Sequence, residues 1–217
     1  MPKSQTLQRI REICVIPVLR ARNQEDAIAI AHAVKQGGVP LLEITMTVPG
    51  ALDVIRQLAA SFGEQVLVGA GTVLDPETAR ACILAGAQFI VSPSLKISTI
   101  EICHRYSIPV FPGALTPTEV LTAWEAGADA VKIFPCGSMG GAKYLKSLKA
   151  PLPQIELIPT GGVSLSTAAD FLSAGAFALG VGADLIESDA VGPEKLAGIS
   201  ENARKYMEVV RKHQAHR

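Results

Sequence analysis

The chain has 217 residues, 48% hydrophobic and 18% charged, so burial can offset chain entropy and disorder is disfavoured. Lys+Arg and Asp+Glu stand at 20 each with no basic or acidic block. This balance argues against nucleic acid or a membrane surface as the partner, because binding a phosphate backbone needs a positive field.

The amino end, Met1 to Ile10, is polar and lacks the apolar core of a signal peptide. No apolar run approaches the roughly 20 residues that span a bilayer. Val15 to Leu19 (VIPVL) reads as the first strand. Gln24 to Lys35 follows as a helix with Ala27, Ile28, Ile30, Ala31 and Val34 on one face. Leu41 to Thr45 (LLEIT) precedes a helix over Ala51 to Ala60, and Val66 to Thr72 precedes one over Pro76 to Ala85. Phe89 to Pro93, Pro109 to Gly113, Ala130 to Phe134, Glu156 to Pro159 and Phe177 to Val181 continue the series, most with a helix behind. Uninterrupted apolar runs suit parallel strands covered on both faces. Gly37-Gly38, Gly86, Gly127 and Gly175 stand where helix C-terminal caps are expected, and "AGA" recurs at Ala85, Ala126 and Ala174 before the next strand.

About eight such units predict an α/β protein, a (β/α)8 TIM barrel, with residues 1–217 forming a single domain behind a short N-terminal helix. An open doubly wound sheet is the rival, but no GxGxxG follows the first strand. The four cysteines (Cys14, Cys82, Cys103, Cys136) form no CxxC pair and have no histidine at ligand spacing. They read as reduced thiols of a cytoplasmic protein without a metal site or cofactor. The basic tail (Arg211, Lys212, His213, His216, Arg217) reads as a solvated helix end, and His32 and His104 fall on helices, so no histidine is a catalytic candidate.

Barrel chemistry sits where strands end. The polar residues there are Arg20, Glu43 with Thr45, Thr72, Ser92 with Ser94, Thr116, Lys132, Thr160 with Gly161 and Gly162, and Gly180 with Gly182. Lys132 lies in the apolar run Ala130 to Pro135. Burial disfavours a charged amine, which leaves free amine to attack a ketone; the alternative is a structural lysine paired with a carboxylate. Glu43, in another apolar strand, is the candidate partner and equally a candidate proton carrier, roles that are compatible. Glycines in Gly69-Ala70-Gly71-Thr72 permit close backbone approach to a ligand, and Thr72 either bonds that ligand or caps a helix. Asp75, just before Pro76, is the stronger cap. Gly161-Gly162 and Gly180 with Gly182 close the last two strands, where backbone N–H groups build phosphate sites; ordinary turns are the alternative. Arg20 can hold a carboxylate with two parallel bonds or remain solvated. Ser138 to Gly141 reads as a loop that contacts substrate or as a plain turn.

These motifs resemble the KDPG (2-keto-3-deoxy-6-phosphogluconate) aldolases, a family that includes 2-keto-3-deoxy-6-phosphogalactonate and 4-hydroxy-2-oxoglutarate aldolases. The likeness runs from about Val15 to Leu185. It rests on VLRA (Val18 to Ala21), LLEITMTVPGA (Leu41 to Ala51), VGAGTVL (Val68 to Leu74), FIVSPS (Phe89 to Ser94), PGALTPTE (Pro112 to Glu119), VKIFP (Val131 to Pro135) and PTGGV (Pro159 to Val163). The resemblance implies a metal-free class I aldolase in which Lys132 forms the imine, Glu43 is the general acid/base and Thr72 lies near the pyruvoyl carboxylate. It also implies a 2-keto acid substrate, pyruvate as product, and a homotrimer.

Two positions depart from the pattern. Some members carry an arginine at the position of Thr47 to grip the substrate carboxylate; others share the TVP form found here and place the arginine in VLRA, as Arg20. Many relatives have a serine where this chain has Ala183. Losing one neutral hydrogen bond weakens phosphate binding by about 0.5–1.5 kcal/mol. Phosphorylated and unphosphorylated substrates, a sugar-phosphate-binding barrel without turnover, and an isomerase on a phosphate-binding barrel all remain open from the residues alone.

Overall fold

The computed structural model describes residues 1–186 and 192–215. A first helix, α1 (Lys3–Ile13), turns into the barrel through the left-handed residue Cys14. Strands and helices then alternate: β1 (Val15–Leu19), α2 (Gln24–Gln36), β2 (Leu41–Thr45), α3 (Ala51–Phe62), β3 (Leu67–Gly71), α4 (Pro76–Leu84), β4 (Ile90–Val91), α5 (Ile97–Arg105), β5 (Val110–Phe111) and β6 (Gly113–Ala114). After these come α6 (Pro117–Glu125), β7 (Val131–Ile133), α7 (Ala142–Lys149), β8 (Leu157–Pro159), α8 (Ala168–Ser173), β9 (Leu179–Val181) and α9 (Pro193–Gln214).

Every pairing is parallel, in the orders β5-β4-β3-β2-β1-β9 and β6-β7-β8. Two joints close the ring. β5 and β6 are one barrel strand interrupted at Pro112, which has no N–H to donate; its carbonyl still accepts the Lys132 N–H at 2.9 Å. The other joint is the bridge between Thr160 and Gly180, linking the ends of β8 and β9. The result is a (β/α)8 barrel with α1 as an addition.

Each strand is buried along its whole length, as expected of parallel strands behind helices. The helix boundaries follow local chemistry. Asn23 and Asp75 accept the Asp26 and Thr78 N–H groups at 2.8 and 2.6 Å, and Pro76 takes the first helical position. Gly38, Gly86, Gly127 and Gly175 adopt φ values of 90–108°, the left-handed caps that end four helices. α9 closes the shell against α2, where the Ser200 hydroxyl donates to the Ala33 carbonyl at 2.8 Å.

The predicted strands are longer than those observed in the second half of the barrel. Phe89 to Pro93 narrows to β4, and Pro109 to Gly113 divides at Pro112. Arg211, Lys212 and His213 form the last turn of α9, while His216 and Arg217 lie outside the described residues. Among the described residues no helix is long and apolar enough to cross a membrane. The four cysteines are buried, and no disulfide joins them among the described residues.

Candidate active site

The carboxyl ends of the strands surround a cavity of about 440 Å³. Lys132, the middle residue of β7, reaches it with 6% of its surface exposed. Its neighbours in register are Gly113 and Ile158, neither of which offers a charge. Glu43, the middle residue of β2, is 2% exposed, and its Oε1 lies 3.8 Å from Lys132 Nζ. That distance is an ion-pair contact too long for a hydrogen bond. Among the described residues Oε1 accepts no hydrogen bond. Burial therefore pushes the Glu43 carboxyl above the usual carboxylate range, and the charges of Lys132 and Arg20 pull it only part of the way back.

Glycine makes this placement possible. A Cβ at Gly71, opposite Thr45 in the β2–β3 ladder, would collide with the Glu43 carboxylate, and one at Gly69 would enter the Phe89 ring. The space that these glycines leave is taken by Glu43 and Phe89 and not by close approach of a ligand. Thr72, which follows, lines the cavity with φ 58°, a left-handed conformation unusual for a β-branched residue. Such strain, about 1–3 kcal/mol, concentrates at functional sites. The helix cap beyond it is Asp75, not Thr72.

Arg20 leaves the end of β1 and also lines the cavity. The backbone just before it is held by the buried Thr45 hydroxyl, which donates to the Leu19 carbonyl at 2.9 Å. Because Thr45 has only one proton to give, Thr47 is the donor in their 2.7 Å hydroxyl contact.

The far end of the cavity is built by Thr160, Gly161, Gly162, Gly180 and Gly182. Gly161 and Gly162 adopt φ values of 81° and 77°, and Gly162 passes so close to Gly137 that a side chain on either would clash. Gly180 lacks a side chain because Thr160 Oγ1 occupies that space.

Other strand-end candidates fall elsewhere. Thr116 forms a capping box with Glu119 at the start of α6. Ser92 is buried and accepts the Ser94 N–H at 3.3 Å. Residues 137–139 form an exposed 3-10 turn. His32 packs edge-on against Phe62, and His104 Nε2 lies 2.8 Å from the Gly127 carbonyl. Burial pushes the Cys136 thiol, four residues from Lys132, up to about 11, so it is no rival nucleophile at neutral pH.

Six residues that the sequence did not single out also line the cavity: Val18, Pro93, Phe134, Val163, Asp184 and Ile186. The Phe134 ring centroid lies 5.5 Å from Lys132 Nζ. A period of two from Lys132 places Phe134 on the same face of the strand, which is the signal that finds it. Asp184 is the first charged residue after Gly182.

Comparison with known proteins follows this geometry. The family model "KDPG and KHG aldolase" matches residues 7–202. The chain is 34% identical to the KHG/KDPG aldolase of Escherichia coli, over 89% of this chain and 91% of that protein. It is 38% identical to the 2-dehydro-3-deoxy-6-phosphogalactonate aldolase of the same organism, over 79% and 83%. Among solved structures, a KDPG aldolase from Legionella pneumophila, with pyruvate captured as a covalent carbinolamine, superposes with a TM-score of 0.85 at 28% identity. That match covers 93% of this chain and 98% of the other.

Proposed function

The chain belongs to the KDPG and KHG aldolase family, and from that premise we propose that it is a lyase, a class I aldolase that cleaves KDPG to pyruvate and glyceraldehyde 3-phosphate through a Schiff base on Lys132. The observation that carries this reading is the buried pair of Lys132 and Glu43, 3.8 Å apart, with the lysine lining the cavity.

In the proposed reaction the neutral Lys132 amine attacks the C2 ketone to give a carbinolamine, and loss of water gives the iminium. Glu43, as carboxylate, takes the C4 hydroxyl proton, directly or through one water. The C3–C4 bond then breaks: its electron pair enters the iminium as an enamine, and the aldehyde leaves. Glu43 returns its proton to C3, and hydrolysis of the resulting iminium releases pyruvate and the free amine. A raised carboxyl suits both transfers, because an acid that also serves as a base works best near the operating pH. Thr72 and Arg20 bind the substrate carboxylate in this reading, with Arg20 supplying the cation absent at Thr47. Thr160, Gly161, Gly162, Gly180 and Gly182 line the end that receives the phosphate. No metal or cofactor enters any step.

Ala183 favours a second reading, in which the same imine chemistry serves the unphosphorylated 4-hydroxy-2-oxoglutarate; the galactonate epimer of KDPG is a third, phosphorylated substrate. The proposed assembly is a homotrimer in the cytoplasm. Exposed Leu84, Leu121 and Trp124 supply apolar surface for self-association, and cysteines that form no disulfide among the described residues suit a reducing compartment. Light scattering tests the assembly through a mass three times the 22.8 kDa chain.

Pyruvate release from KDPG, coupled to lactate dehydrogenase, tests the function. Wild type is expected to consume NADH and Lys132→Ala to show none. Borohydride reduction with pyruvate should add mass at Lys132. Tight binding without release from any of the three substrates would leave a sugar-phosphate-binding barrel and refute the aldolase.

A further inference from the structure

Resting on the aldolase reading, we infer that Asp184 and Tyr206 form a positioning clamp that spaces the two glycine loops at the far end of the cavity, and so sets the preference for a phosphorylated over an unphosphorylated substrate. Tyr206 lies on α9, fully buried, and its O–H donates to Asp184 Oδ2 at 2.6 Å. The same oxygen accepts the Leu165 N–H at 3.1 Å. Leu165 stands three residues after Gly162, and Asp184 two residues after Gly182. One carboxylate oxygen thus joins the loop after β8, the loop after β9, and α9. Asn202, one turn before Tyr206, adds a 3.4 Å bond from its side chain to the Asp184 carbonyl.

The clamp has the chemistry of a fixed spacer. A buried tyrosine hydroxyl needs a partner, and a carboxylate makes the stronger, shorter kind of bond. Burial and the Asp184 charge both push the Tyr206 hydroxyl upward, so the donor keeps its proton throughout the neutral range. The strand ends are bridged at Thr160 and Gly180, and the Gly161 carbonyl accepts the Gly137 N–H at 2.8 Å; beyond these bonds the Asp184 carboxylate ties the two loops together. Gly161 and Gly162 carry no side chain, and Ala183 offers no hydroxyl to an anion. Recognition of a phosphate there falls to backbone donors, whose value depends on being held within about 0.5 Å of the productive position. A substrate that ends short of this region does not draw on that spacing.

The test compares kcat/KM for KDPG with kcat/KM for 4-hydroxy-2-oxoglutarate in wild type, Tyr206→Phe, Asp184→Ala and Asp184→Asn, alongside pyruvate trapping by borohydride. Tyr206→Phe and Asp184→Ala are expected to lower the KDPG-to-oxoglutarate ratio by about tenfold, mostly through KM, the scale of one charge-assisted hydrogen bond. Trapping at Lys132 should persist, and Asp184→Asn, which keeps an oxygen acceptor, should restore most of the ratio. The ratio is taken within one preparation, so partial unfolding cancels. An equal fall for both substrates would reduce the clamp to a general stability element and overturn the inference. A rise in the ratio on removing the carboxylate would overturn it too, making Asp184 a repulsive charge. Pyruvate release from neither substrate by wild type would instead refute the aldolase, and the clamp with it.

Discussion

Gly71→Ala probes the site without replacing a proposed catalytic residue. Gly71 lies outside the left-handed region, so the backbone accepts alanine, and the conflict is confined to the new Cβ. That Cβ would overlap Glu43 Oε1, Cδ and Cγ together, which no rotation of the terminal carboxylate relieves. Glu43 is 2% exposed and the overlap reaches back to its Cγ, so the carboxylate must move relative to Lys132 Nζ. Overpacking of this kind costs about 1–3 kcal/mol of stability. A misplacement of about 1 Å costs on the order of 10² in rate. Pyruvate release from KDPG should therefore fall about 100-fold, while prolonged borohydride incubation still marks Lys132. Gly69→Ala is the control: its Cβ strikes the Phe89 ring, so it disturbs the same strand without displacing Glu43. Wild-type turnover by Gly71→Ala at a lowered Tm would refute the role given to Glu43. Equal losses in the two variants would trace the effect to the barrel, not the carboxylate.

Four further outcomes follow from the same geometry. Because burial raises the Glu43 carboxyl, the acidic limb of kcat/KM should lie above the ordinary value of about 4.3. Arg20 pulls that group down, so Arg20→Gln should move the limb to still higher pH, and an unmoved profile would separate the two residues. In stability, a raised folded-state value means that the contribution of Glu43 is present below its ordinary value and is lost as pH rises through the folded one; Glu43→Gln should flatten that loss in thermal melts. Thr72→Gly relieves a left-handed β-branched residue, so it should raise stability by about 1 kcal/mol, or Tm by about 2–4 °C, while lowering kcat/KM. A lowered Tm would show the conformation to be unstrained. Thr45→Val removes the side-chain bond to the Leu19 carbonyl and loosens the peptide before Arg20, so KM for KDPG should rise, with recovery in Thr45→Ser and no added effect over Arg20→Gln.

Much of the barrel was legible because its strands are apolar on both faces and its helices carry local punctuation. VIPVL and LLEIT end where they were read to end, and Pro76 behind Asp75 starts a helix by capping chemistry alone. The later strands were overdrawn because burial extends beyond hydrogen-bonded pairing. Phe89 and Ala130 are core residues without being strand residues, and Pro112 interrupts a ladder it has no N–H to join. Within the cavity, Lys132 and Glu43 stood out as charges inside apolar runs, and Thr160 with its glycines stood out by position. The purpose of Gly71 was hidden, since only the parallel register of β2 on β3 brings it beside Glu43. Tyr206 was hidden for the same reason at longer range: nothing local to α9 points to residue 184.

The looseness of the Lys132–Glu43 pair is itself informative. A close, fully hydrogen-bonded ion pair would fix the charges on both partners, and the proposed chemistry needs neither fixed. The amine must be neutral to attack C2, and the carboxyl must take a proton and later return it. At 3.8 Å, with Glu43 Oε1 accepting no hydrogen bond among the described residues, the carboxylate lacks the bonds that would hold it ionised against burial. A substrate hydroxyl or one water entering from the cavity supplies the missing donor at the atom where a proton is to be exchanged. The arrangement is unfavourable to the empty protein and complementary to the loaded one. That difference is the form transition-state binding takes in the proposed reaction.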